Sequence, residues 1–79
     1  MKPVFIPFNR IGGFVQARAR VKYLKEQGCF EAVLNLGDLE VNGIGLNVFQ
    51  ARWDLATRIE RSNFLKSKLL GLESGRKNG

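Results

Sequence analysis

Six basic side chains and no acidic one occupy residues 1–25: Lys2, Arg10, Arg18, Arg20, Lys22 and Lys25. Arg18, Lys22 and Lys25 stand at i, i+4 and i+7, a spacing that places three cations on one helix face. The chemistry open to such a face is contact with a polyanion, because each Lys or Arg that neutralises a phosphate releases condensed counterions. A surface helix ordinarily mixes its signs, whereas Glu26 is the only acid near this one. Arg10 adds a cation upstream, and Arg76 and Lys77 add two near the C-terminus. Such groups position and attract without reading sequence. Arg20 and Arg52 are the cations left over to reach a base edge. The alternative for the whole stripe is a solvated helix face.

Gly12-Gly13 precedes the expected start of that helix, with Arg10 nearby and no Ser, Thr, Asp or Asn at the cap. Glycines there would let a phosphate approach free helix N–H groups, which makes the pair a candidate anion loop. The competing reading is a turn in which Gly13 itself is the cap.

A second constellation is apolar. Between residues 48 and 59, Val48, Ala51, Leu55 and Ile59 form one helical stripe. Phe49, Trp53, Ala56 and Phe64 form another, turned about 110° from the first on a 3.6-residue wheel. Two apolar faces exceed what a small domain needs. Either the first helix covers Phe49, Trp53 and Phe64, or a partner or a second copy does, in the simplest case as a homodimer. Trp and Phe are characteristic interface anchors.

Other chemistries lack their parts. The chain has no histidine, so Ser-His and Cys-His nucleophile pairs are excluded. One cysteine, Cys29, excludes an internal disulfide framework and leaves too few ligands for structural zinc. Glu31 and Glu40 are expected on an exposed surface, where they stay ionised. No enzyme activity, metal, cofactor or small-molecule substrate is expected. A lone thiol suits a reducing, cytoplasmic compartment. The apolar run at residues 3–8 is too short for a signal segment, and no stretch reaches a membrane span. The chain is therefore expected to be complete from Met1.

With 79 residues there is room for one domain. Hydrophobic content of 44 % is that of a folded chain, and the net charge of +6 gives a pI near 10.1. The charge is segregated: residues 26–51 hold four acids and no base, and residues 52–79 hold seven bases against three acids.

The elements that must carry these groups read as follows. Val4, Ile6 and Phe8 alternate, giving an edge strand interrupted by Pro7. A loop over 9–13 leads into a helix over about 14–27, with Phe14, Ala17, Val21 and Leu24 as its stripe and Gly28 as its stop. Residues 30–44 form a β-hairpin about Gly37-Asp38, with Leu36 opposite Leu39, Leu34 opposite Val41 and Ala32 opposite Gly43. The rival for 29–36 is a short helix. Asn47 caps the second helix with Gln50 three residues on. That helix runs to about Leu70, with a bend or break at Ser62-Asn63 and a stop at Gly71. The expectation is an α+β single domain over 1–72, in β-α-β-β-α order, its three-stranded sheet carrying two helices on one face. A disordered polar tail follows over 73–79. The function expected of it is nucleic-acid binding, DNA or RNA, of a regulatory kind. The alternative is a protein-interaction module, inhibitor or adaptor, that binds an acidic partner surface or self-associates through the aromatic helix face.

Overall fold

A computed structural model describes residues 6–78 of the chain, with side chains to residue 72. It is a small α+β domain with one three-stranded antiparallel sheet and three helices. The order is α1 (Phe8–Arg18), β1 (Arg20–Leu24), β2 (Cys29–Asn35), β3 (Glu40–Gly45), α2 (Val48–Arg61) and α3 (Asn63–Asn78). The class matches the sequence reading, whereas the element order and the helix count do not.

Residues 6–25 differ from the sequence reading. Of the expected edge strand, Val4 lies outside the described residues, Ile6 and Pro7 have no strand pairing, and Phe8 opens α1. Pro7 (φ −60°, ψ 144°) sets the chain up for the helix, and its carbonyl accepts the N–H groups of Arg10 and Ile11 at 3.0 and 3.2 Å. Gly12 and Gly13 are therefore inside a helix rather than in a loop. Two interior glycines cost about 1 kcal/mol each relative to alanine. Burial of Ile11, Phe14 and Val15, at i, i+3 and i+4, offsets this.

The expected helix over 14–27 ends early. Ala19 turns extended (ψ 140°) while its N–H closes the last turn on the Val15 carbonyl. Val21 and Tyr23 then alternate on β1, opposite Ala32 and Phe30. Gly28, with φ +65°, completes the β1–β2 turn. Pairing with β2 wins over the helical spacing of Phe14, Ala17, Val21 and Leu24.

The hairpin forms as expected, with Leu34 opposite Val41 and Ala32 opposite Gly43. The short-helix alternative for 29–36 is not adopted. Gly37 has φ +95°, its N–H donates to Asn35 Oδ1 at 2.8 Å, and the Leu36 N–H closes the turn on the Leu39 carbonyl at 2.7 Å. Ala32, Leu34 and Leu36 are buried, so this is the covered face.

α2 crosses that face close to β3. A Cβ on Gly43 would stand 2.6 Å from the Ala51 carbonyl oxygen and 2.7 Å from Leu55 Cα. Only glycine lets two backbones approach so closely. Asn47 caps α2 through its side-chain oxygen, which accepts the Gln50 N–H at 2.8 Å. Gln50 Oε1 accepts from the Leu46 N–H at 3.1 Å, one residue before the cap. On the β3 side, Asp54 Oδ2 accepts the Ile44 N–H at 2.9 Å.

Ser62 breaks the long helix. It ends α2 with its N–H on the Ile59 carbonyl and starts α3 with its Oγ accepting the Leu65 N–H at 3.2 Å. Gly71 does not stop α3, which continues to Asn78 through the segment expected as a disordered tail. Leu69 is buried, and Leu65, Leu70 and Leu72 pack on the core. Lys68 Nζ reaches back to Asp38 Oδ1 in the hairpin turn at 2.6 Å.

That contact yields a pH prediction. The Lys68 hydrogen bond, a backbone hydrogen bond of Asp38 and the Lys68 charge hold the Asp38 carboxyl below the ordinary aspartate range. A folded pKa below the unfolded one means a contribution present above the unfolded value and lost as pH falls through the folded one. The carboxylate is exposed, so the contribution is small. In an NMR titration Asp38 is expected to protonate below the range of an unstructured aspartate, and Lys68→Met is expected to raise that midpoint.

Candidate functional site

α1 and α2 pack side by side and leave a groove of about 270 Å³. From α1 it is lined by Phe8, Asn9, Gly12, Val15 and Gln16, and from α2 by Phe49, Arg52, Trp53 and Ala56. Each set is one helix stripe, at i, i+1, i+4, i+7 and i+8 on α1 and i, i+3, i+4 and i+7 on α2. The spacing follows from the burial of the opposite stripe: with Ala51, Leu55 and Ile59 fixed against the sheet, Phe49 and Trp53 must face away from it.

The groove is mainly apolar, with three aromatic rings among its nine described lining residues. The Trp53 ring lies 4.9 Å from that of Phe8, tilted by 56°, and 6.2 Å from that of Phe49, near-stacked at 27°. Phe49 is nevertheless 66 % exposed and Trp53 56 %. Leu46, just before the α2 cap, and Val48, at its first position, are exposed as well. The single cation, Arg52, gives Nη1 to Gln16 Oε1 at 2.8 Å. Its Nε is shielded from solvent and has no partner. Among the described residues no acidic side chain lines the groove.

Of the three residues expected at an interface, the structure brings Phe49 and Trp53 together and separates Phe64. The Ser62 break puts Phe64 on α3, exposed, with Lys68 Nζ 5.7 Å from its ring centroid. α1 covers part of the second stripe, through Phe8, but leaves most of Phe49 and Trp53 in water. The sequence pattern does not mark Phe8, Asn9, Gly12, Val15 and Gln16 as wall residues, because the α1 stripe is visible only with residues 8–18 as a helix.

The cations are redistributed. Arg18, Lys22 and Lys25 do not share a helix face, since only Arg18 is helical. Its guanidinium lies 4.3 Å over the Phe14 ring. Arg20 and Lys22 lie two residues apart on β1, on the sheet face opposite the helices, and Lys25 is in the following turn. The four form a row from the end of α1 along an outer strand of the sheet. Lys22 pairs with Glu31 at 3.6 Å, and Glu31 also accepts from Asn42 Nδ2 at 2.9 Å. Arg20 shares a concavity with Glu40, so the sheet face carries both signs. Arg18, Arg20 and Lys25 make no ion pair among the described residues. Arg10 and Arg52 lie on α1 and α2, outside this row. Gly12 and Gly13 provide no anion loop, because the N–H groups around them are within α1.

Cys29 is half-buried beside Leu24 at the β1–β2 turn. Among the described residues no three His, Cys, Asp or Glu side chains converge as a metal site, and no helix is long and apolar enough to cross a membrane.

No protein-family model, curated protein or solved structure matches the chain.

Proposed function

We propose that the chain is a non-catalytic binding module that docks a protein partner in the groove between α1 and α2. The supporting observation is the aromatic cluster itself. Phe49 and Trp53 stack on one another at the mouth of an apolar groove, yet more than half of each side chain remains in water. Covering apolar surface stabilises a contact by roughly 25 cal/mol per Å². A contiguous exposed patch with a polar rim is characteristic of an interaction site. The lone thiol agrees with a cytoplasmic setting.

The test is site-specific crosslinking in the cells that make the protein. A photoreactive phenylalanine analogue is placed at Phe49, at Trp53 and, as a control, at Asn35 on the far end of the sheet. Discrete crosslinked species shared by the two groove positions and missing at Asn35 are expected. Identical patterns at all three positions, or none at Phe49 and Trp53, would rule the docking role out.

The cation row supports a second reading, contact with nucleic-acid phosphates. Arg18, Arg20, Lys22 and Lys25 fall within eight residues along one side of the domain. Contacts of this kind are insensitive to sequence and sensitive to salt, each phosphate adding about −0.9 to the slope of log K against log salt on duplex DNA. Reversing Arg18, Arg20 and Lys25 to Glu is expected to flatten that slope by roughly 2 to 3 units. All three side chains are exposed, so the circular dichroism spectrum should be retained. A wild-type dissociation constant weaker than about 0.1 mM on both DNA and RNA at physiological salt would eliminate this role.

A further inference from the structure

We infer that the groove's occupant is an amphipathic helix of a partner protein with a carboxylate beside its apolar stripe; this rests on the docking reading above. The walls argue for a helix. Beyond their first turns both belong to helices whose N–H and C=O groups are paired within the helix, so the groove offers no ladder to an extended segment. A helix brings its own satisfied backbone and can lay apolar side chains at i, i+3, i+4 and i+7 between α1 and α2.

The floor argues for an inserted side chain. Gly12 lines the groove, and a Cβ built there would meet no atom within 4 Å. One residue's width of the α1 wall is thus open between Phe8 and Val15.

The charge argues for an acid. Among the described lining residues Arg52 alone is charged. Its guanidinium has five N–H donors, and one protein hydrogen bond is formed among the described residues. A carboxylate reaching the guanidinium makes charge-assisted bonds that a neutral neighbour cannot.

The same features disfavour a second copy. A two-fold contact across the groove sets the patch against itself. It would bring two Arg52 side chains together with no acid from either groove, in a chain already at +6.

The experiment is selection from a display library of Trp-free helical peptides, randomised along the apolar stripe and its flanks, on three baits: wild type, Gly12→Leu and Arg52→Gln. Gly12→Leu plugs the groove from a position with open space for its Cβ, and circular dichroism verifies the fold of each bait. Enrichment on wild type and its loss on Gly12→Leu are expected. The wild-type pool should be rich in Asp and Glu at the flanks, and the Arg52→Gln pool should not. Trp53 is the only tryptophan and lies in the groove. The best peptide is therefore expected to shift its emission to the blue and to bind wild type at least about tenfold more tightly than Arg52→Gln. Enrichment without acidic flanks, or acidic flanks that persist on Arg52→Gln, overturns the acidic partner while leaving the docking role. No groove-dependent enrichment overturns both. A wild-type dimer by sedimentation that Gly12→Leu dissociates makes a second copy the occupant and overturns the inference.

Discussion

Gly43→Ala is expected to cost this domain about 3 kcal/mol, the upper end of the usual range for overpacking. The added methyl would sit 2.6 Å from the Ala51 carbonyl oxygen and 2.7 Å from Leu55 Cα, with the Leu55 nitrogen closer still. These are backbone atoms in the middle of α2, so no side chain can rotate away. Relief requires lifting α2 off β3, which would loosen Leu55 and Ile59 together. Domains of this length have roughly 4–12 kcal/mol of stability in all. Gly45 meets α2 in the same way, at 2.6 Å from Gln50 Cβ, and its substitution should act in the same direction. Urea denaturation followed by circular dichroism measures the loss. Gly71→Ala is the control, a helical glycine with open space around it, and it should be neutral or stabilising by up to about 1 kcal/mol. Equal midpoints for Gly43→Ala and wild type would mean that α2 does not approach β3 as described.

The second large effect is a contrast between neighbours two residues apart. Leu55→Ala is expected to cost about 2–5 kcal/mol, because the side chain is 0 % exposed and truncation leaves a cavity between α2 and the sheet. Trp53→Ala removes a larger side chain and is expected to cost less, about 1–2 kcal/mol, chiefly the ring contacts with Phe8 and Phe49. With 56 % of Trp53 in water, most of its apolar surface contributes nothing to folding. Urea midpoints of the two variants measure the contrast. The reverse ranking would place Trp53 in the core and take away the groove's main anchor.

The hairpin was legible in the sequence because local and non-local signals agree there. Alternating residues flank a Gly-Asp turn, and a one-residue slip would turn Leu34 and Val41 to solvent. The cap at Asn47 and the break at Ser62 were legible for a similar reason: each is a short polar side chain bonding nearby backbone. The first 25 residues gave conflicting signals. Phe14, Ala17, Val21 and Leu24 fit a helical period, while Val21 and Tyr23 equally fit a strand. Five residues are too few for periodicity to decide. The decision comes from β2, a non-local partner. The alternation of Val4, Ile6 and Phe8 makes Pro7 an interruption of a strand, whereas it precedes a helix. Propensity alone makes Gly12-Gly13 a loop, and burial of Ile11, Phe14 and Val15 overrides it. The site follows the same division. The α2 wall, Phe49 and Trp53, was visible as an excess apolar stripe, whereas the α1 wall was hidden by the misassigned strand at Phe8. The basic stripe failed for the opposite reason, since its i, i+4, i+7 spacing had meaning only on a helix that ends at Arg18.

No charged side chain among the described residues is buried. Ionic strength therefore becomes a dial that separates the two surfaces without disturbing the scaffold. Exposed ion pairs such as Arg58–Asp54 are worth little and are screened by added salt, while the same salt relieves the mutual repulsion of a +6 chain. The fold can thus be carried from dilute buffer to concentrated salt with small change in stability. Over that range phosphate contact decays steeply. Burial of Phe49 and Trp53 against an apolar helix face persists, and strengthens in sulfate. One sample titrated with salt can report which surface a bound molecule occupies.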